Sequence, residues 1–230
     1  MTEHVYTFWE GPMPAYIYLC MRTWCMPFTI LTFDNLNNYT DLPIDSKLVR
    51  FSLPQIADCV RVHVLRDQGG YWLDADTIMV ADTLPDVNIM GDPITRSNAI
   101  GMLYTEPRSA MFEEWAEYQD SVLADPDASH HWSVMGNRFS DRYVVSHPDI
   151  RIGDIRTCWQ ETYMIDRKMP RHDKYRYFYF ERSYHLPDLE PTSMLMLHNS
   201  WTPDWYKRLT EAEVLAERCT LSNILRELVR

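Results

Sequence analysis

The sequence predicts an α/β fold, a single Rossmann-like domain with a mostly parallel central sheet. Three observations predict it. Short β-branched and aromatic runs alternate with helical periods, glycine and proline punctuate the joins, and no internal repeat or Gly/Ser linker breaks the series. Residues 4–9 open with a strand that stops at Glu10-Gly11-Pro12. Pro14 suits a first helical turn; Tyr18, Met21, Arg22 and Cys25 follow at helical spacing, and Pro27 ends that helix. Residues 28–33 make a second strand, cut off by Asp34-Asn35, and residues 35–53 are polar and turn-rich. Pro54 opens a helix whose face carries Ile56, Ala57, Val60, Val64 and Leu65, and Gly69-Gly70 closes it in the manner of an αL cap. Residues 71–73 and 77–80 are strand-like on either side of Asp74-Ala75-Asp76. A strand at 99–104 leads to a helix at 107–123, whose stripe of Met111, Phe112, Trp115 and Tyr118 belongs to the core. Residues 131–143 read as helix, 150–155 as extended, 175–180 as an aromatic strand and 194–197 as a buried strand. Thr210 and Glu213 have capping-box spacing, and Val214, Leu221, Leu225 and Leu228 fit one C-terminal amphipathic helix packed on the body.

At 230 residues the chain has the length of one compact domain. A hydrophobic fraction of 46%, with 8 Trp, 14 Tyr and 8 Phe, excludes a disordered segment. The formal charge of −11, from 22 basic and 33 acidic residues, argues against a nucleic-acid partner, which needs a basic face. The longest apolar runs, such as 78–81 and 194–197, are far shorter than the roughly 20 residues of a membrane-spanning helix. No transmembrane segment is therefore expected. The start, Met1-Thr2-Glu3-His4, has no basic region of a secretory signal, so the expected location is the cytoplasm. Cys20, Cys25, Cys59, Cys158 and Cys219 are scattered without a CxxC pair and read as reduced, mostly buried thiols.

The chemistry concentrates between Asp58 and Val80. Asp58 and Arg61 are three apart on a helix, so they are neighbours that can pair with each other or together hydrogen-bond a polyol. Asp74 and Asp76 are two apart at a strand end, share a face, and offer hard oxygen ligands to one divalent cation. Apolar strands on both sides bring that acidic pair into or beside the core. A second feature, residues 167–182, interleaves Arg167, Lys168, Arg171, Lys174, Arg176 and Arg182 with Tyr175, Tyr177, Phe178 and Tyr179. It fits an exposed hairpin with solvated charges, or a surface for an anionic acceptor or lipid head group.

The block Ala57-Asp58-Cys59-Val60-Arg61, with Leu65, Gly69-Gly70-Tyr71 and Leu73-Asp74-Ala75-Asp76, resembles the sugar-binding region with a DXD motif of family 32 glycosyltransferases. That group includes capsular polysaccharide synthesis and yeast mannosyltransferase-like enzymes, and large clostridial toxins share a related pattern. Phe8-Trp9-Glu10-Gly11 with Pro14 resembles the family's first strand, Ser97-Asn98-Ala99-Ile100 its stretch after the DXD motif, and His198-Asn199-Ser200-Trp201 its terminal element. The resemblance spans residues 5–201.

It implies a GT-A glycosyltransferase fold over residues 1–230, with a donor-binding half at about 1–105, acceptor-side and closing elements at about 106–209, and a C-terminal helix at about 210–230. The activity implied is metal-dependent, retaining transfer of a sugar from a UDP- or GDP-sugar donor to a glycan or lipid-linked acceptor, in polysaccharide or lipopolysaccharide biosynthesis. Asp74, Asp76 and His198 would hold Mn²⁺ or Mg²⁺. Asp58 and Arg61 would hold sugar hydroxyls, Trp9 would stack on the base, and Tyr71 would lie near the ribose or sugar. Ser200 and the Trp201 indole would reach phosphate oxygens, and Asn98 would stand near the donor sugar. Where the family often has Gly-Pro after the post-DXD strand, this chain has Gly136-Asn137, and His198 stands only two residues before Ser200.

Two other readings compete. A degenerate relative would bind the sugar nucleotide without turnover. Leu73-Asp74-Ala75-Asp76-Thr77 also fits the opening motif of Mg²⁺-dependent haloacid dehalogenase-like phosphatases, in which the first Asp is a nucleophile. That class places the motif on the first strand and needs a later Lys and acidic pair. Here two strands precede it, and Lys47, Lys168, Lys174 and Lys207 are the only lysines.

Overall fold

A computed structural model describes residues 4–92, 97–165 and 168–229. In chain order the described elements are β1 (Val5–Phe8), α1 (Ala15–Met21), β2 (Phe28–Leu31), α2 (Leu53–Gln68), β3 (Gly70–Leu73), β4 (Thr77–Met79), β5 (Ile89–Gly91) and β6 (Asn98–Thr105). They continue with α3 (Ala110–Ala124), α4 (Asn137–Ser146), β7 (Ile152–Asp154), α5 (Gln160–Met164), α6 (Arg171–Arg176), β8 (Met194–Met196), α7 (Asp204–Lys207), α8 (Glu211–Ala216) and α9 (Thr220–Leu228). Two compact units interleave along the chain. The first comprises the described residues of Met1–Gly11, Met26–Asp74 and Asp86–Gly153; the second comprises those of Pro12–Cys25, Ala75–Pro85 and Asp154–Arg230. The chain thus passes from one unit to the other between Asp74 and Ala75.

The first unit holds a six-stranded sheet in the order β2-β1-β3-β6-β5-β7. β1 runs parallel to both β2 and β3, whereas β6 runs antiparallel to both β3 and β5. The parallel pairing expected of the sheet holds around β1 and gives way at β6. All four residues of β1 are buried, as in a strand covered on both faces. The core contains Ile56, Val60 and Val64 of α2, Phe112 and Trp115 of α3, and Trp72 and Leu103 of the sheet.

The join of α2 to β3 positions the chemistry. Ser52 and Gln55 form a capping box, and proline occupies the first turn of α2. Gly69 has φ +66° and ψ −163°, so the chain leaves the helix extended and not in the expected αL cap. A Cβ at Gly69 would stand 2.7 Å from the Pro107 nitrogen, and one at Gly70 (φ +87°) would stand 2.7 Å from the His4 carbonyl oxygen. Only glycines admit so tight a return of the chain into the sheet beside β1.

In the second unit, β4 and β8 pair antiparallel, with Thr77 opposite Met196 and Met79 opposite Met194. Tyr16, Ile17, Leu19, Cys20 and Met21 of α1 are buried.

Several elements differ from the sequence reading. α1 ends at Met21, so Arg22 and Cys25 lie beyond it, and α4 begins only at Asn137. Extended structure near residue 152 is limited to Ile152–Asp154, after which the chain turns helically. The aromatic segment is not a strand: α6 runs directly into a π-helical turn over Tyr177–Glu181. Tyr175, Phe178 and Tyr179 are its fully buried residues, a helical spacing that overrides their β propensity. Nor is it an exposed hairpin, since Lys174 is buried with its amine donating to the Thr162 carbonyl at 3.3 Å. Arg167, named with that segment, lies outside the described residues. The C-terminal helix is two helices, because Glu217 and Cys219 are extended and Arg226 caps the break by donating to the Glu217 carbonyl at 2.8 Å.

Candidate active site

In the first unit, α2 sets Asp58 and Arg61 one turn apart, and β3 delivers Asp74 at its carboxyl end. Arg61 is 4% exposed. Its Nη2 lies 2.9 Å from Asp58 Oδ1 and 3.1 Å from Asp74 Oδ1, and its Nη1 donates to the Ile100 carbonyl. The guanidinium also sits 5.1 Å from the Trp72 ring centroid, while Trp72 Nε1 donates to Asp74 Oδ1 at 2.9 Å. The Asp74 amide donates to the Gly101 carbonyl at 2.8 Å. One buried cation therefore ties α2 to β3 and β6, and holds two carboxylates by a single edge.

Burial pushes the Asp58 carboxyl up to about 7, the Asp74 charge adds to that, and Arg61 opposes it. Gly136 approaches this carboxylate closely: a Cβ there would stand 2.8 Å from Asp58 Oδ2 and collide with Ile100. Gln119 Nε2 bridges the backbone carbonyls of Asp58 and Met135 at 3.0 and 2.6 Å, holding the loop before α4 against α2.

Three more candidate residues lie in this unit. Trp9 follows β1 and is partly buried; its backbone N–H donates to the Leu31 carbonyl at 3.0 Å. Its Nε1 is shut from solvent without a partner among the described residues. Tyr71 is 3% exposed, its ring centroid 4.5 Å from that of Tyr104. Asn98 is buried, and its backbone N–H and side-chain amide donate to Asp141 Oδ1 at 2.9 and 3.1 Å. Those bonds anchor the start of β6.

The second unit holds Asp76, His198, Ser200 and Trp201. The Leu197 amide donates to the Asp76 carbonyl at 3.2 Å, and the Asn199 amide donates to Asp76 Oδ2 at 2.7 Å. The buried Tyr16 hydroxyl donates to Asn199 Oδ1 at 2.5 Å, which fixes the 3₁₀ turn Asn199–Trp201. Ser200 is exposed and Trp201 partly buried.

His198 lies under the Trp201 ring, with centroids 4.0 Å apart, and its Nε2 is 3.2 Å from Arg171 Nη2. Burial and the Arg171 charge push the imidazole down to about 3, so it is neutral and accepts from the guanidinium. That geometry does not fit the expected third metal ligand, because a cation at Nε2 would meet Arg171. The carboxylates of Asp74 and Asp76 do suit Mg²⁺ or Mn²⁺, which take oxygen ligands. Among the described residues, no group of three or more His, Cys, Asp and Glu residues is arranged to hold a metal ion.

The family described as capsular polysaccharide synthesis protein matches residues 5–132, more than half of the chain. The chain belongs to this family. The matched span contains Trp9, Asp58, Arg61, Tyr71, Asp74, Asp76 and Asn98 and ends before His198, Ser200 and Trp201. A solved chain described as PaToxG Glycosyltransferase is similar at 12% identity, over 63% of this chain and 68% of that one, with a TM-score of 0.42. No curated protein matches the sequence. No helix among the described residues is long and apolar enough to cross a membrane.

Sequence reasoning missed that Trp159 and Arg171 lie against His198, and that the buried Glu161 bears electrostatically on Arg171. Arg171 was visible only as one charge in a basic run, and Trp159 had no signal. Gly136 was visible as a departure from Gly-Pro, but its closeness to Asp58 was not.

Proposed function

We propose that the chain is a glycosyltransferase of GT-A type that moves a sugar from a nucleotide-diphosphate sugar to an acceptor hydroxyl, with retention, in assembly of a polysaccharide. The observation that carries this reading is the Arg61 clamp in the first unit. A buried guanidinium uses one edge to hold Asp58 and Asp74, so both carboxylates stand ready as acceptors for the vicinal hydroxyls of a hexose. Family membership supports the same class.

In this reading Asp58 and Arg61 bind the donor sugar, and Trp9 supplies an indole face to the base. Tyr71 and Asn98 shape the same side. Asp76, with Asp74 two residues before it in the chain, would hold Mn²⁺ or Mg²⁺, which when bound supplies positive charge to the departing diphosphate. Ser200 and the Trp201 indole donate to phosphate oxygens, and Asn199 keeps Asp76 oriented through its backbone N–H. The transition state has oxocarbenium character, so these residues contribute by positioning and by fixed dipoles. The acceptor is a glycan or lipid-linked glycan.

A thermal-shift screen of UDP- and GDP-sugars, with and without Mn²⁺, tests the reading, because a ligand that binds only the folded state raises the melting temperature. The expected result is a Mn²⁺-dependent shift with one donor, lost in Asp76→Ala and reduced in Asp58→Asn. Stabilisation by Mg²⁺ with a phosphate mimic, and by no nucleotide, would overturn it in favour of the phosphatase reading.

A further inference from the structure

Arg171 of the second unit lies against two indole rings and forms no ion pair among the described residues. Its guanidinium lies 3.6 Å from the Trp159 ring centroid and 5.5 Å from that of Trp201. Nη2 is 3.2 Å from His198 Nε2, and Nε is shut from solvent without a partner among the described residues. No carboxylate among the described residues forms an ion pair with it. Glu161 is the carboxyl whose charge bears on it most. That group is itself fully buried, and its Oε2 has no partner among the described residues.

A guanidinium half-buried against indole faces loses part of its hydration, which stacking repays only in part. A neutral imidazole accepting from one Nη orients the planar fork but adds no negative charge. What the cluster calls for is an oxyanion able to accept from the remaining N–H groups. A phosphate, with several equivalent oxygens, matches that fork better than a single carboxylate edge.

We propose that Arg171 binds a phosphate of the donor's diphosphate, with His198 as a positioning residue that orients the guanidinium and with Trp159 as the face it rests on. This rests on the reading of the chain as a nucleotide-sugar transferase, and it gives His198 a task other than holding the cation. The shared chemistry is a phosphate oxyanion. The diphosphate of the donor is favoured because Arg171 lies beside His198 and Trp201, next to the Ser200 and Trp201 donors that the proposed function aims at phosphate.

The test is a tryptophan-fluorescence titration of the full chain in EDTA, read through Trp159 and Trp201, with inorganic pyrophosphate, farnesyl monophosphate and the free nucleoside as separate probes. Wild type should bind pyrophosphate without metal. Arg171→Met should weaken that binding about ten- to a hundred-fold, the range of a lost hydrogen bond to a charged group. Arg171→Lys should recover part of it, and His198→Gln should lose less than Arg171→Met. Nucleoside affinity and melting temperature should change little, which a merely structural role would not produce. Where Arg171→Met fails to fold, Arg171→Lys decides, with an expected several-fold loss.

The proposal is overturned by wild type that does not bind pyrophosphate, or by Arg171 variants that keep wild-type affinity. Farnesyl monophosphate binding more tightly than pyrophosphate, with the same dependence on Arg171, would assign the phosphate to the acceptor and overturn the donor assignment. If no nucleotide sugar binds while pyrophosphate still depends on Arg171, the transferase reading fails and the phosphate contact stands.

Discussion

Arg61 Nη2 reaches Asp74 Oδ1 at 3.1 Å from a side chain that is almost wholly buried, while Asp74 keeps 40% of its side-chain surface exposed. The cation is structural on its inner side and organises an acidic surface on its outer side. Because Asp58 shares the same nitrogen at 2.9 Å, the position of both carboxylates depends on one residue.

Arg61→Met should therefore cost about 3–5 kcal/mol of stability, the range for breaking a buried ion pair from one side. Adding Asp58→Asn should restore part of the loss, since the uncompensated carboxylate is then gone. Urea denaturation of the single and double variants checks this, and equal losses in both would count against the clamp.

Gly136→Ala should perturb the same carboxylate from its other side. A Cβ would stand 2.8 Å from Asp58 Oδ2, so overpacking of about 1–3 kcal/mol is expected. Donor affinity should fall with it, because Asp58 must move. Urea denaturation of the variant measures the first effect, and calorimetric titration with the donor measures the second.

The Glu161 carboxyl predicts a pH dependence. Burial pushes it from an ordinary value near 4.5 up to about 7. Between those values the native state keeps a proton that the unfolded chain has lost. The group's contribution to stability is therefore full below pH 4.5 and lost as pH rises through 7. Glu161→Gln, neutral throughout, should be more stable than wild type at pH 8, by about 3 kcal/mol at most, and so melt higher. The gap should close toward pH 5. Melting curves across that range would show it, and a gap that is constant with pH would refute it.

Asp76→Ala removes the acceptor of the Asn199 amide, a charge-assisted bond of about 1.5–3 kcal/mol. It should abolish Mn²⁺-dependent donor binding and transfer, while far-ultraviolet circular dichroism stays that of wild type. Turnover retained by this variant would remove Asp76 from the cation site.

Much of the first unit was legible because its signals are local. The period of α2, the proline in its first turn and the Gly69-Gly70 exit all act within a few residues of where they stand. So does the one-turn spacing of Asp58 and Arg61. The segment Tyr175–Phe180 misled because aromatics favour strands in isolation. Which of them face inward was decided by neighbours far away in sequence. The contact of His198 with Arg171 was hidden for a related reason, since the two lie 27 residues apart along the chain.

The α/β class, the family and the residue types of the chemistry follow from sequence alone, since patterning and motifs are properties of short stretches of chain. Only the tertiary structure decided that β6 runs antiparallel, that Gly136 closes on Asp58, and that Arg171 occupies the nitrogen of His198. Each of these is a meeting of segments distant along the chain, settled by packing and burial and not by any local preference.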